Sequence, residues 1–431
     1  GLPIVVGQLG MIILGLADTI MIGHHSTEEL AAAAFVNNVF NLAIIFATGF
    51  SYGLTPLIGM LQGGGNTQGI GRVFRNALAA NASVAVLLTA VMYTVYCFVD
   101  KLGQPEELLP HIRPYFVLQL ISLLFIMLFN GFRQFAEGLT DTRTPMWILL
   151  GGNALNIFGN YLLIYGSFGF PEWGLFGAGV STLVSRIVML LVFIGVVAVA
   201  RRYKVYREAI LRSRFNRNDF MQLNALGWPI ALQMGMETAA FSLSAIIVGW
   251  LGSIPLAAHQ IMISVSTIGF MVYYGMGAAL AVRVSHFMGQ KDFPNLRRAV
   301  NSGMGIILSL AIVASLFFYL ARTPIIYSFT EDHEVMIVVS SLIFSLIVYQ
   351  FGDALQITFA NALRGTTDVK PMMWIAFFSY FIVALPVGYL CGFTWGGGVV
   401  GVWVAFPAGL FTAGFLFWLR FRYRLQQLMK K

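Results

Sequence analysis

Residues 1–11 read GLPIVVGQLGM, and residues 227–237 read GWPIALQMGME, which is the same pattern 226 positions further along the chain. The same offset keeps several helix-punctuating residues in register: Gly23 with Gly249, Gly63 with Gly289, and Arg72 with Arg298. A hydrophobic alphabet gives chance matches of Leu and Ala, but it does not align Gly, Pro and Arg. The sequence therefore predicts a duplicated fold.

A second match lies further along each half. GLTDTRTPM begins at Gly138 and is similar to GTTDVKPM, which begins at Gly365, with a shift of one residue. Pro145 and Pro371 then return to the offset of 226. The repeat therefore extends well beyond the first helix of each half.

Composition places the chain in a lipid bilayer. Hydrophobic residues make up 58% and charged residues 10%, with a mean hydropathy of +0.79, whereas soluble domains carry roughly a quarter charged residues. A spanning helix needs about 20 mostly apolar residues. Twelve stretches qualify, six in each half: 2–23, 31–60, 74–98, 112–136, 145–166, 175–200, 225–250, 256–287, 299–321, 336–362, 371–393 and 397–419. We expect an all-α integral membrane protein.

The distribution of Lys and Arg predicts the topology. An even number of spans in each half gives a parallel repeat, with both copies inserted the same way up. Basic residues collect in the run 201–217, in the tail 420–431 and in short loops on the same side, which is expected to be cytoplasmic. The net charge of +8 is then a topology signal rather than a sign of nucleic-acid binding.

The predicted organisation is an N-lobe over 1–200, a cytoplasmic linker over 201–220 and a C-lobe over 221–431 with a basic cytoplasmic tail. We expect both termini to be cytoplasmic and the substrate site to lie between the lobes. The chain begins inside its first span without an initiator Met, so a short native N-terminal segment is expected to be missing. No cleavable signal peptide is apparent.

Three carboxylates fall inside apolar spans: Asp18 in GLADTIMIG, Glu237 in LQMGMETAAF and Asp353 in YQFGDALQI. A charge at the centre of a spanning helix costs about 2.5 to 3.5 kcal/mol. Arg186 is the only basic residue expected deep in a span, and it can pair with one carboxylate at most. The others must be protonated, hydrated or bound to a cation. These states are the ones through which a cation-coupled carrier cycles.

Each half is expected to have its own polar site. In the N-lobe, Asn156 and Asn160 are one turn apart and can direct their amides toward Asp18. In the C-lobe, Glu237 is expected to pair with Asp353. Hard oxygen donors suit Na⁺, whereas two carboxylates that share a proton suit H⁺ coupling, so both ions stay open. A Na⁺ site at Glu237 and Asp353 is therefore one expectation, and no cofactor is expected beyond the coupling ion.

Further predictions concern the substrate pocket and the helix starts. Tyr273, Tyr274 and Tyr349 are candidate substrate contacts because their hydroxyls have reason to face a polar interior. Pro3 and Pro229 are expected to begin the first and seventh helices, since Pro is tolerated in the first turn of a helix.

These residues, in this order, resemble the multidrug and toxic compound extrusion (MATE) family, in its bacterial NorM-like branch. The resemblance rests on LADTIMIGH, GNALNIFGNYLLIYGSFG, ETAAFSLSAIIVGWLGSIPLAAHQI and YQFGDALQITFANALRGTTD, and it extends over nearly the whole chain. It implies a V-shaped, monomeric antiporter in the bacterial inner membrane that exports cationic or amphipathic compounds in exchange for Na⁺ or H⁺. It also implies that Asp18 with Asn156 and Asn160 is one cation site, and that Glu237 with Asp353 is a second.

Two alternatives remain open from the sequence. A flippase for a lipid-linked precursor would need clustered Arg or Lys within the spans to hold a diphosphate. An integral membrane enzyme would need a catalytic motif in the spans, and Glu237 with Asp353 could mimic an aspartyl pair.

Overall fold

A computed structural model describes residues 1–430 of the chain. Over these residues the secondary structure is helical, and no strand occurs. Twelve helical segments are long and apolar enough to span a membrane, six of them before residue 200. The all-α fold class with twelve spans is therefore confirmed. Helices dominate because the bilayer offers no water to the backbone, so each N–H and C=O group must find its partner within the segment.

The chain forms two compact units. The N-terminal unit comprises Val6–Ala231, and the C-terminal unit comprises Leu232–Lys431 together with Gly1–Val5. The boundary between the two units falls between Ala231 and Leu232, inside the continuous helix Arg217–Gly249. The lobe boundaries at 200 and 221 stay a prediction.

Nine helices begin before residue 232. They are α1 (Leu2–His25), α2 (Thr27–Ser51), α3 (Leu54–Gly63), α4 (Thr67–Cys97), α5 (Leu109–Gly138), α6 (Arg143–Ile164), α7 (Gly174–Val199), α8 (Lys204–Arg212) and α9 (Arg217–Gly249). The main packing partners within the N-terminal unit are α6 with α7, and α5 with α7, α4 and α2. Buried aromatic and aliphatic side chains from α2, α5 and α7 form its core.

Eight further helices complete the C-terminal unit. They are α10 (Ser253–Gln290), α11 (Phe293–Leu320), α12 (Arg322–Phe329), α13 (His333–Gly365), α14 (Lys370–Phe377), α15 (Leu385–Tyr389), α16 (Gly398–Trp403) and α17 (Ala405–Met429). Two π-helical segments, Phe378–Ala384 and Leu390–Thr394, flank α15. Helix α13 packs against α10, α17 and α11 and so lies at the centre of this unit.

The duplication is visible in the backbone. Gly65 has a φ of 70°, and Lys291, which is 226 residues later, has a φ of 57°. The next residue in each half caps the following helix, since the side chain of Asn66 accepts from the N–H of Gly69 and that of Asp292 accepts from the N–H of Asn295. A side chain is uncommon at positive φ, so Lys291 retains a turn for which glycine is better suited.

The second repeated motif also forms matching turns. Thr140 in GLTD and Thr367 in GTTD have φ values of 65° and 59°. In the first copy, Asp141 accepts a hydrogen bond from the hydroxyl of Thr144 at 2.6 Å and another from Tyr203 at 2.6 Å. In the second copy, Asp368 accepts two bonds from Arg420, at 2.6 and 3.0 Å. The aspartate is therefore kept, while its partner has changed.

The segment predicted as a linker, 201–220, folds onto the N-terminal unit. Helix α8 packs on α4 so closely that a Cβ atom on Gly71 would meet the backbone of Ala209. Arg72 and Asp219 form an ion pair at 2.5 Å, and Arg75 donates to the carbonyl of Ser213 at 2.5 Å. These contacts explain why residues 201–220 belong to the N-terminal unit, which extends to Ala231.

Pro3 lies in the first turn of α1, as predicted. The prediction for Pro229 is wrong, because α9 begins at Arg217 and Pro229 lies inside it. Hydropathy excludes the polar residues 217–224 from the span, but a helix can continue past the apolar core of a bilayer. A proline within a helix removes one backbone hydrogen bond, so Pro229 weakens α9 at this point.

Candidate cation-binding sites

The N-terminal unit brings Asp18 together with both predicted asparagines. The amide nitrogen of Asn160 on α6 donates to Asp18 Oδ1 on α1 at 2.5 Å and lies 3.2 Å from Asn156 Oδ1. Both asparagines are almost completely buried. They face the same neighbour because residues four positions apart project from the same side of a helix.

The amide of Asn156 can hydrogen-bond in either of two orientations. In one, its nitrogen donates to Thr182 at 3.1 Å. With the amide turned over, the nitrogen lies 3.0 Å from Asp18 Oδ1, and the oxygen accepts from the backbone and the hydroxyl of Thr182 at 3.3 and 3.1 Å. The Oδ1 atom of Asn160 is buried and has no partner among the described residues. The site therefore supplies hydrogen-bond donors to Asp18, and it contains one buried amide oxygen without a partner among the described residues.

A cavity of about 140 Å³ adjoins this site within the N-terminal unit. Its lining is Leu14, Asp18, Asn37, Phe40, Ile44, Tyr115, Gln119, Gly152, Asn153, Asn156, Thr182, Ser185, Arg186 and Met189. The lining mixes charged, amide and hydroxyl groups with apolar side chains. A cavity of this kind can hold a polar group beside an apolar one.

In the C-terminal unit, Glu237 is held by amide donors rather than by Asp353. Glu237 Oε2 accepts from Gln233 one turn earlier on α9, at 3.0 Å, and from Gln356 on α13, at 3.2 Å. The oxygen of Gln233 in turn accepts from Arg364 at 2.8 Å. A buried guanidinium is thus connected to Glu237 through a single amide.

Asp353 lies on α13 with 0% of its surface exposed. Both of its carboxylate oxygens lack a hydrogen-bond partner among the described residues. Glu237 is close enough to interact with it electrostatically, but no direct hydrogen bond joins the two carboxyl groups in the described part of the chain. The expected direct pair is therefore replaced by two neighbouring acidic groups, of which one is hydrogen-bonded and one is open.

Tyr380 is a site residue that sequence reasoning missed. It lies in the π-helical segment Phe378–Ala384, and its buried hydroxyl is close enough to Glu237 to interact with that carboxylate. Isolated π-helical turns often occur at functional sites. The signal available in the sequence was Pro386, which has no N–H to donate to the carbonyl of Ile382 one turn earlier.

Besides Arg186, which lies deep in its span, two arginines are buried near the C-terminal ends of spanning helices. Arg133 is buried in α5, where it pairs with Glu137 at 2.8 Å, and Arg364 is buried in α13. Arg364 is the residue before Gly365 and falls outside the predicted span 336–362, whereas Arg133 falls within the predicted span 112–136. Arg186 does lie deep in α7, but no described carboxylate lies within 4.0 Å of it.

Glu29, which the sequence pattern places in a loop, is buried in α2. Its Oε2 atom lies 2.7 Å from His25 Nδ1 and accepts from the N–H of Leu175 at 3.0 Å. The other ring nitrogen of His25 lies 2.9 Å from Glu172. This cluster connects the end of α1 and the start of α2 to the start of α7.

The three tyrosines predicted to contact substrate are largely buried. The hydroxyl of Tyr273 donates to Gln350 at 2.7 Å, and that of Tyr274 lies 3.8 Å from the sulfur of Met234. Tyr349 packs edge-on against Phe241. Their role in binding substrate stays a prediction.

Comparison with known proteins places these sites in a family context. The MatE family model matches residues 3–162 and again residues 229–390. The chain belongs to the MatE family. The second match begins 226 residues after the first, which is the offset found in the sequence. Membership confirms the resemblance and the prediction that this chain is a membrane transporter rather than an enzyme.

Several individual proteins are similar to this MatE chain along its length. The multidrug resistance protein NorM of Photobacterium profundum is 29% identical, covering 98% of this chain and 93% of its own. An outward-facing multidrug resistance MATE transporter of the MOP superfamily superimposes with a TM-score of 0.91 at 20% identity, covering 100% of this chain and 95% of that one. A eukaryotic MATE transporter gives a TM-score of 0.86 at 17% identity, covering 99% and 96%. The structural matches support the twelve-helix fold.

Proposed function

We propose that this MatE protein is a cation-coupled antiporter that exports cationic and amphipathic compounds by alternating access. The observation that carries the proposal is the presence of acidic groups inside spanning helices in both units: Asp18 in one, and Glu237 with Asp353 in the other. A buried carboxylate without a salt bridge is costly in a membrane. Reversible binding of a cation removes that cost and thereby provides the coupling.

The similarity to NorM supports the choice of substrate. That relative is named a multidrug resistance protein, and it aligns with this chain over nearly its full length. The residues at the candidate sites are consistent with cationic substrates, since each site contains a carboxylate within apolar helices. Export of several compounds by one protein is favoured by apolar surfaces that can repack.

The two sites suggest different ligands. Asp353 offers two open carboxylate oxygens beside Glu237 and the hydroxyl of Tyr380, and hard oxygen donors of this kind suit Na⁺. At Asp18, amide donors already occupy one oxygen, so a proton or the substrate cation competes with them there. We propose Na⁺ at the C-terminal site and leave H⁺ as the alternative coupling ion.

The remaining features of the proposal follow from the topology. The twelve spans make the chain a multi-pass membrane protein, and we place it in the bacterial inner membrane with both termini in the cytoplasm. It is proposed to act as a monomer and to need no cofactor apart from the coupling ion.

The proposal is tested by ethidium efflux in everted membrane vesicles under a Na⁺ gradient or a pH gradient imposed separately. Asp18→Asn, Glu237→Gln and Asp353→Asn are compared with wild type and with the exposed control Glu106→Gln. Efflux that needs one of the gradients and fails in the buried variants supports the proposal. Efflux that ignores both gradients, or buried variants that match the control, would refute it.

A lipid-precursor flippase remains the alternative function. It calls for a cluster of basic residues, and the candidates within the spanning helices are Arg133, Arg186 and Arg364. However, Arg133 is paired with Glu137, Arg364 is connected to Glu237 through Gln233, and Arg186 shares its cavity with Asp18. Each arginine thus lies near a different acidic group, and acidic groups beside the arginines fit a diphosphate site poorly.

A further inference from the structure

His25, at the end of α1, bridges two carboxylates from different elements. Its Nδ1 atom lies 2.7 Å from Glu29 Oε2 on α2, and its Nε2 atom lies 2.9 Å from Glu172 Oε1 in the loop before α7. None of the three residues belongs to the candidate cation sites, so their arrangement calls for a separate explanation.

The bridge needs one proton more than a neutral histidine and two ionised carboxylates can supply. A neutral imidazole has a single N–H donor, whereas an ionised carboxylate only accepts hydrogen bonds. Two contacts of hydrogen-bond length are therefore satisfied together only when the ring carries both of its protons or one carboxyl group is protonated. When that extra proton leaves, one of the two contacts loses its donor.

Glu172 is the partner that should separate from His25. The side chain of Glu29 is 9% exposed, whereas that of Glu172 is 65% exposed. Glu29 Oε2 also accepts from the N–H of Leu175 at 3.0 Å, and a Cβ atom on Gly174 would meet the same carboxylate. A buried carboxylate without a partner is costly, but water can solvate Glu172 as soon as its contact breaks.

The helices around His25 contribute one further group that titrates near neutral pH. His111 on α5 has its Nδ1 atom 3.7 Å from Glu29 Oε1. Tyr165, which caps α6, packs its ring edge-on against the imidazole, and its hydroxyl donates to a backbone carbonyl of α1. The electrostatic partners of His25 itself are Glu29 and Glu172. A proton on either histidine therefore favours the bridged arrangement.

The loop that Glu172 holds contains left-handed backbone. Phe168 has a φ of 58°, between Gly166 at 65° and Gly169 at 83°, and its side chain is 82% exposed. A bulky residue at positive φ costs free energy and persists only when its surroundings hold it there. Loss of the contact to Glu172 should therefore allow the loop to open.

We propose that His25, Glu29 and Glu172 form a proton-binding site that fastens the loop 165–173 to the end of α1 and the start of α2. The site releases the loop when it loses its extra proton. This inference goes beyond the proposed function, since the site needs neither substrate nor coupling cation. It makes the loop, which is predicted to face away from the cytoplasm, sensitive to pH on that side of the membrane.

Hydrogen–deuterium exchange of the purified full-length chain provides the test. The N–H of Trp173 bonds to the carbonyl of Leu163 at 2.9 Å, so the loop contains a protected amide to follow. Protection, corrected for the intrinsic exchange rate, is measured at about pH 6 and about pH 9, on either side of the range in which histidine titrates. We expect wild type to be protected about threefold to fivefold more at the lower pH, because a partly exposed ion pair contributes modestly. His25→Gln should reduce this ratio to about one.

Two further variants separate the proton site from a folding defect. His24→Gln is the matched control, since the ring of His24 lies 2.8 Å from the carbonyl oxygen of Ile20 in its own helix, and it should keep the wild-type ratio. Glu172→Gln leaves Glu29 in place and should also give a ratio of about one, because an amide can both donate and accept. A ratio near one in wild type or in His24→Gln overturns the proposal, as does a wild-type ratio in His25→Gln or Glu172→Gln.

Discussion

Replacing Asp353 by asparagine should stabilise the purified protein when no coupling cation is present. Both oxygens of Asp353 are buried without a hydrogen-bond donor in the described residues, and the charge of Glu237 lies nearby. Leaving a buried polar atom unsatisfied costs about 1 to 3 kcal/mol, so the two oxygens together cost about 2 to 6 kcal/mol. Asparagine keeps the shape but removes the charge, which should recover a substantial part of that cost.

A bound cation should recover the same cost in wild type. Ligand at about a hundred times its dissociation constant stabilises the folded state by about 2.7 kcal/mol. The assay is thermal unfolding in detergent with NaCl or choline chloride, at acidic and at alkaline pH. Wild type should be stabilised by Na⁺ or by acid, whereas Asp353→Asn should begin at a higher midpoint and respond weakly.

Glu106→Gln is the matched control for loss of a carboxylate, and it should respond to cations as wild type does. The reasoning is refuted if Asp353→Asn unfolds at a lower temperature than wild type in choline chloride and still responds fully to Na⁺ and pH. That result would mean that Asp353 is satisfied by something other than a cation or a proton.

Three further predictions concern stability. Arg133→Met should lower the free energy of unfolding by about 3 to 5 kcal/mol, because it leaves Glu137 buried and charged. Arg113→Gln breaks an exposed ion pair and should have a much smaller effect. Equal losses for the two variants in chemical denaturation would contradict this prediction. Burial alone would raise the pKa of Asp141, but hydrogen bonds from Thr144 and Tyr203 and the charge of Arg202 outweigh it and hold that pKa below its ordinary value. The resulting stabilisation is present above the unfolded-state pKa and is lost as pH falls through the folded-state pKa. Because Arg202 and Tyr203 contact Asp141, limited proteolysis of wild type within 201–212 should become faster in acid. The rate for Asp141→Asn should depend less on pH. Gly71→Ala should displace α8 and accelerate the same cleavage. Gly151→Ala, where a methyl group has open space, should leave the cleavage rate unchanged. Equal cleavage rates for the two variants would rule out the close contact between Gly71 and Ala209.

The fold was largely predictable because a membrane constrains both composition and helix length. The repeat and the twelve spans follow from register and hydropathy, and the shared face of Asn156 and Asn160 follows from their one-turn spacing. These are local properties, and the bilayer leaves few alternatives to a helix.

The contacts of the C-terminal site were harder to predict. Whether Glu237 meets Asp353 or Gln356 depends on how α9 and α13 are rotated about their axes, which the sequence pattern does not specify. Hydropathy also failed at the end of α13, where Arg364 lies outside the predicted span 336–362 but is buried by packing. Tyr380 was missed because its helix widens into a π-helical segment, which shifts side chains away from α-helical spacing.

The most direct test of the central claim is counter-transport in proteoliposomes that contain only this protein. An outward ethidium gradient is imposed with no ion gradient, and the entry of radioactive Na⁺ and of protons is followed together. The account predicts that ethidium efflux drives one of these ions inward, and that Glu237→Gln and Asp353→Asn abolish the ion movement. Ethidium efflux without inward movement of either ion would show that the protein is not an antiporter and that its buried carboxylates do not couple transport to a cation.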